Sequence, residues 1–211
     1  MYVPEQFREE RAEILRGFIA RHPLAALVAV TEEGLTANHI PLLTLERPGG
    51  NTVLGGHVAR ANSIWRSLAA GAPVLAIFSG ATHYITPSWY PSKPVDGKVV
   101  PTWNYAVVHA HGTIRFFEDS AEALAKVRAL TEQQEGRRTA PWAVSDAPAD
   151  YLAAMLKRIV PFEITVTRLV GKFKASQHRP EDERVSVAAA LAAEGLAQEE
   201  IGELVRAPVP R

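Results

Sequence analysis

The sequence predicts an α+β domain built on a mostly antiparallel, barrel-like sheet with peripheral helices. Two observations point there. Apolar or alternating runs follow one another across tight turns, the arrangement of hairpins rather than of βαβ units, and helical patterns are inserted between some of them. A third observation closes off the main alternative: no Gly-rich strand-to-helix fingerprint occurs, which argues against a Rossmann dinucleotide site.

The elements follow in order. Pro4 opens a first helix, where its missing N–H costs nothing. Phe7, Ile14, Leu15 and Phe18 recur at helical spacing, and His22-Pro23 stops it. Leu24 to Val30 is a continuous apolar run of strand length. Thr31 to Gly34 is a turn, and Leu35 to Leu45 returns as a second strand, with Pro41 marking an edge or bulge. Pro48-Gly49-Gly50-Asn51 is a turn before a strand from Thr52 to His57. A short helix follows over about 62–70, and Pro73 to Ser79 is the next strand. The longest strand is expected from about Tyr105 to Phe117. Ala106, Val108, Ala110, Ile114 and Phe116 share one face of it; His109, His111, Thr113 and Arg115 share the other. Asp119 with Glu122 reads as a capping box opening a helix to about Glu135. Arg137 to Asp150 reads as loop and Tyr151 to Ile159 as a short apolar helix. The last strand carries Phe162, Ile164 and Val166, and Gly171 to Glu183 reads as a polar loop. Two Ala/Leu-rich helical patterns, broken at Glu194-Gly195, fill the tail.

Composition narrows the function. The chain has 211 residues, 23 basic and 23 acidic, so its formal net charge is zero. No global basic field draws it to nucleic acid or anionic lipid. The absence of cysteine excludes disulfides, thiolate nucleophiles and Cys-ligated metals. The charged N-terminus lacks the apolar run of a signal peptide, and no apolar stretch reaches the ~20 residues of a membrane span. A soluble, cytoplasmic protein is expected.

Three runs combine aromatic rings, hydrogen-bonding side chains and backbone-bending residues: Gly56 to Asn62, His83 to Tyr90, and Pro101 to Tyr105. Such a mixture suits a pocket for a planar, polar, phosphate-bearing molecule. In the first run the glycines permit close backbone approach, Arg60 offers a fork of donors flanked by His57, and a helix begins at about Asn62, which together form a phosphate seat. The plainer reading has Asn62 capping a helix and Arg60 as a surface charge. Trp89, Tyr90, Trp103 and Tyr105 either stack on a flat ligand or pack at an interface, with Thr82, His83, Ser88 and Asn104 as polar partners. His109 and His111 share a strand face, but no third ligand can be placed, so contacts at a subunit face are favoured over a metal. Lys174 and Arg179, in the run Lys172 to Arg179, either fold back onto a bound anion or belong to a solvated charge run.

The segments Met-Tyr-Val-Pro at the start, Ala37 to Pro41, Gly56 to Asn62, Tyr84 to Tyr90, Val100 to Tyr105 with Val108 to Gly112, and Lys174 to Arg179 occur in the order seen in a known family. The chain resembles the PaiB-type FMN-binding negative transcriptional regulators over nearly its whole length. It departs at His178, where the family commonly has Asn, at Ala175, where Leu is usual, and at Thr86, where Ser is commoner. The resemblance implies an FMN-binding split β-barrel that forms a homodimer. Residues 1–183 are read as the barrel and 184–211 as a helical appendage packed on it. FMN is expected between the subunits, its phosphate at Arg60 and the adjacent helix start and its ring near Trp103-Asn104 and the His39-Ile40-Pro41 edge. Contacts are expected from His39, His57, Arg60, Asn62, Trp103, Asn104, Lys174, Ser176, Gln177 and Arg179. Fold alone does not select an activity. A regulator, an FMN-dependent oxidoreductase of the flavin reductase or oxidase type without a DNA role, and a scaffold without flavin all stay open. The tail loosely resembles a helix-turn-helix, yet Glu194, Glu199, Glu200 and Glu203 would repel phosphates. DNA is therefore a partner that the charge does not support.

Overall fold

The computed structural model of the chain describes residues 1–45, 47, 52–195, 202, 204 and 205. Its elements are β1 (Arg8–Glu9), α1 (Ala12–Arg21), β2 (Leu24–Thr31), β3 (Gly34–Pro41), β4 (Leu43–Leu45), β5 (Val53–Ala59), α2 (Ile64–Ser67), β6 (Ala72–Ile85), α3 (Lys93–Asp96), β7 (Thr102–Phe116), α4 (Ser120–Glu135), α5 (Ala149–Leu156), β8 (Ile159–Lys174) and α6 (Glu181–Ala193). The strand order is β3-β2-β6-β7-β8-β5-β4, with β1 pairing β8. The pairs β1–β8, β2–β3, β2–β6, β4–β5 and β5–β8 are antiparallel. The chain divides into two compact units. One comprises Arg16–Phe78 and His109–Leu169, the other Met1–Leu15, Ser79–Val108 and Val170–Arg211.

In the first of these units, β2 alternates as a half-buried strand must. Ala25, Leu27 and Ala29 are buried, while Leu24 and Val30 are exposed. Gly34 takes a φ of 107°, a conformation costly for any residue with a Cβ, and so lets β3 return along β2. The single strand expected from Leu35 to Leu45 is two. At Leu42 the backbone N–H turns to Pro23 O at 2.9 Å, and β4 then pairs with β5. Pro41 cannot donate to a ladder, so the break falls where the sheet has least to lose. Gly55 and Gly56 lie buried on β5, where a Cβ would meet Leu45 Cδ1 at 2.8 Å and Leu42 Cδ2 at 2.7 Å. Their room is filled by packing.

Asp119 caps α4 by accepting from Ala121 N at 2.8 Å. Glu122 does not complete a capping box and pairs with Lys126 Nζ at 2.8 Å. Lys126 is only 3% exposed; its ammonium also reaches Glu163 Oε1 at 2.9 Å and lies over the Phe117 ring. Burial alone would raise the Glu163 carboxyl, but its bonds to Lys126 and Arg47 hold it below the usual range.

In the other unit the helix expected from Pro4 starts later. A 3-10 turn at Glu5–Phe7 and β1 precede α1. The Glu9 carboxylate accepts from the backbone N–H groups of Glu10 and Arg11 and from the Arg11 guanidinium, which competes with an earlier helix start. Strands β6 and β8 reach Ile85 and Lys174, well past the ends expected at Ser79 and Thr167, and β8 exceeds β7 by one residue (16 against 15). The expected polar loop from Gly171 to Glu183 is thereby shortened at both ends, because α6 already begins at Glu181. Val187, Ala188 and Leu191 of α6 bury themselves with Ile85, Tyr90 and Ala175. Ser186 Oγ donates to Trp89 O at 2.7 Å. The expected turn at Pro48 to Asn51 and most of the second tail pattern, including Glu199, Glu200 and Glu203, lie outside the described residues.

Candidate functional site

Four of the expected site residues belong to the unit of Arg16–Phe78 and His109–Leu169. His39 stands exposed on β3 opposite Ala26. His57, on β5 opposite Pro161, is half-buried; its Nδ1 is buried without a hydrogen-bond partner, and burial pushes the imidazole pKa down. Arg60 has its guanidinium engaged by the protein. It donates to Lys157 O at 2.9 Å, Ile159 O at 3.3 Å and Glu118 Oε2 at 3.2 Å. A phosphate at this fork would compete with Glu118. Asn62 accepts from Ile64 N at 3.0 Å and so closes the turn before α2. It also donates to Asn38 Oδ1 at 2.7 Å. The two amides line a polar cleft of about 210 Å3 together with Thr36, Ser63 and Ser67. Asn38, Ser63 and Ser67 were not singled out from the sequence. The signal was there for Asn38, a polar residue on the inward register of β3 opposite Leu27.

His109 and His111 lie on β7 with ring centroids 6.4 Å apart. Burial, above all, lowers the pKa of both. Arg168 Nη2 is 3.1 Å from His111 Nε2; guanidinium can only donate, so that nitrogen is the acceptor.

The remaining six belong to the other unit. Trp103 is 56% exposed at the start of β7, with the Tyr84 ring edge-on at 5.9 Å. Lys174 ends β8 and donates to Thr102 Oγ1 and, at 2.8 Å, to Trp103 O. An ammonium has three donors, so one stays available. Burial lowers the Lys174 pKa. The chain then turns sharply: Ser176 adopts φ 60°, unusual for a residue with a side chain. The turn is held by Asn104 and Ser176, both buried, which hydrogen-bond each other at 3.0 and 3.2 Å. Gln177 holds it too, accepting from Ala175 N at 2.8 Å and donating to Phe173 O. Arg179 lies 4.6 Å above the Tyr90 ring and reaches Glu183 Oε2 at 3.2 Å. His178 meets Phe7 edge-on, and burial with the nearby Arg179 and Lys174 lowers its pKa. Lys174 and Trp103 present uncommitted chemistry, Arg179 keeps N–H groups beyond its bond to Glu183, and Asn104, Ser176 and Gln177 fix the backbone turn. In the same unit the Lys172 ammonium is 5.3 Å from the Tyr105 ring.

The fold is that of the flavin-binding split β-barrels. The FAD and heme binding protein from Mycobacterium smegmatis superposes with a TM-score of 0.59 at 18% identity, over 90% of this chain and 80% of that one. The family described as a putative FMN-binding domain matches residues 1–168, and the chain belongs to that family, whose cofactor is FMN. An uncharacterized protein of Emericella nidulans is 35% identical, with 89% of this chain and 88% of that protein aligned. The protease synthase and sporulation protein PAI 2 of Bacillus subtilis is 30% identical, with 89% of this chain and 87% of that protein aligned.

The residues present fit FMN. Flavin wants a flat apolar contact for its ring and cationic or amide donors for its polar edge and phosphate. The exposed Trp103 indole offers the ring contact, and Lys174, tied to the Trp103 backbone carbonyl, offers an ammonium donor, both within one unit.

Proposed function

We propose that this chain is an FMN-binding homodimer of the PaiB type that acts as a negative transcriptional regulator. The observation that carries the flavin part is the pairing of Trp103 with Lys174. Lys174, with Arg179 nearby in sequence, is assigned to the phosphate and Trp103 to the ring; Asn104, Ser176 and Gln177 position them. His39, His57, Arg60 and Asn62 are assigned to the cofactor's surroundings, Arg60 chiefly through the turn that it ties down. Residues 1–183 are assigned to the barrel and 184–211 to the appendage. The regulatory part is supported by the likeness to the Bacillus protein and its name.

The homodimer is supported by the outward face of the β2–β3 hairpin. Leu24, Ala26, Val28 and Val30 stand opposite Pro41, His39, Ala37 and Leu35, so every residue of that face except His39 is apolar. Leu35 is 80% exposed, and β3 is an edge strand. An apolar face beside an open edge is what a second copy would cover. Light scattering is expected to give a dimer, and Leu35→Glu a monomer; a monomeric parent protein would overturn this part. For the flavin part, FMN added to the purified protein is expected to co-elute with it and show two flavin absorption bands. Free FMN separating completely from the protein would sink it.

A second reading, an FMN-dependent oxidoreductase without a DNA role, is favoured by one feature. α6 opens on the exposed Glu181 and Asp182, charges that repel a phosphate backbone. Bound FMN would supply reversible electron and hydride transfer. Tight operator binding at physiological salt would decide for the regulator, and flavin reduction by a nicotinamide without DNA binding for the enzyme.

A further inference from the structure

A cleft at the C-terminal end of α4 uses none of the residues assigned to the cofactor. It has a volume of about 560 Å3, within the range of small-molecule sites. One wall is α4, with Arg128, Thr131 and Glu132; the other is the loop after it, with Trp142 and Val144. This loop is held in place. Trp142 N donates to Glu135 Oε2 at 3.1 Å, and Ala143 N to Asp146 Oδ2 at 2.9 Å. Trp142 nevertheless leaves 47% of its surface exposed.

The charges on the cleft are unevenly satisfied. Glu135 is neutralised by Arg138, with Nε to Oε1 at 3.0 Å. Arg128 and Glu132 sit four residues apart on α4 and both line the cleft, a spacing that puts their Cβ atoms roughly 5–6 Å apart. Among the described residues neither side chain makes a hydrogen bond or an ion pair. One open cation and one open anion, a helical turn apart beside an apolar wall, match a ligand with both charges close together and an apolar group attached.

We propose that this cleft binds a free α-amino acid with a large apolar or aromatic side chain. Arg128 takes the carboxylate and Glu132 the ammonium, and the side chain lies against Trp142 and Val144. A simple amine would leave Arg128 unmatched, and a simple carboxylate would leave Glu132 unmatched.

The test follows the indole N–H signals by NMR. The chain has four tryptophans, and Trp142→Phe identifies the signal concerned. Titration with L-phenylalanine is expected to move the Trp142 signal saturably, with a Kd in the ~0.01–1 mM range. L-phenylalanine methyl ester lacks the carboxylate, and N-acetyl-L-phenylalanine lacks the ammonium; each is expected to bind about tenfold or more weakly. Arg128→Gln and Glu132→Gln change exposed side chains, so they leave folding intact, and they are expected to weaken L-phenylalanine by the same factor. No saturable shift at millimolar amino acid, or equal binding of all three ligands, would overturn the proposal. An FMN absorbance titration of the same variants reads the flavin site separately, so a failure here is not a failure there.

Discussion

At the scale of single residues, the two cations expected to meet phosphate differ in what they have left to give. Lys174 keeps one donor beyond its bonds to Thr102 and the Trp103 backbone carbonyl, whereas the Arg60 fork is occupied by two backbone carbonyls and Glu118. Lys174→Ala is therefore expected to weaken FMN about ten- to a hundredfold, on the scale of one lost charge-assisted bond. Riboflavin, which has no phosphate, is expected to be affected much less. Fluorescence titrations with both flavins measure this, and equal weakening would move the phosphate away from Lys174. Arg60→Ala should act on stability instead. Losing bonds to Lys157 O and Ile159 O unpins the junction of α5 and β8, at a cost of about 1–3 kcal/mol in urea unfolding. An Arg60→Ala protein of parental stability that discriminated against FMN would restore the phosphate-seat reading. The sequence shows that both residues are cationic; it does not show which carbonyls reach them first.

At the scale of elements, the sequence was most legible where one face is continuously apolar. β2, β5, α4 and the inward side of β7 could be placed from Ala25-Leu27-Ala29, from the run after Thr52, from the Asp119 cap and from Ala106-Val108-Ala110. It was least legible in the second half of β8. Gly171 and Phe173 are buried there and alternate with Lys172 and Lys174, but a glycine gives no apolar signal. It is glycine because a Cβ would come within 2.5 Å of Leu15 Cδ2 and 2.9 Å of Glu9 O. The same hidden logic kept the strand setting of Lys174 out of view: the residue itself stood out, but it reads as part of a loop until β8 is extended to reach it. Gly112 gives the sharpest test of such close approach. A Cβ on this residue of β7 would lie 2.4 Å from Thr165 O and 2.7 Å from Ile164 Cγ2, both on β8. Backbone cannot yield as a side-chain tip can, so Gly112→Ala is expected to cost about 2–3 kcal/mol. Chemical denaturation measures it. A change below ~0.5 kcal/mol, the usual size for a neutral surface substitution, would mean that the two strands are not this close.

At the scale of the whole molecule, the perturbed histidines and carboxylates point the same way with pH. Burial holds the imidazoles of His57, His109, His111 and His178 below the ordinary histidine value. As pH falls below about 6.5, the unfolded chain takes up protons that these folded histidines refuse. Their contribution is complete above that value and is lost as pH falls through the interval down to their depressed folded values. Glu9 and Glu163 are also lowered. In each, burial acts to raise the carboxyl, but pairing outweighs it: with Arg11 and local backbone N–H groups for Glu9, and with Lys126 and Arg47 for Glu163. Their contribution is present above the usual carboxylate value and disappears as pH falls through their folded values, in a second, more acid step. Unfolding free energy is thus expected to be flat from about pH 7 to about pH 9 and to decline in two stages on acidification. Denaturant titrations across pH measure the profile. His57→Gln, which keeps a polar side chain but cannot be protonated, should reduce the upper stage and leave the lower one. A protein that grew more stable between pH 7 and pH 5.5 would show instead that its histidines fold in the charged form, each with an anionic partner.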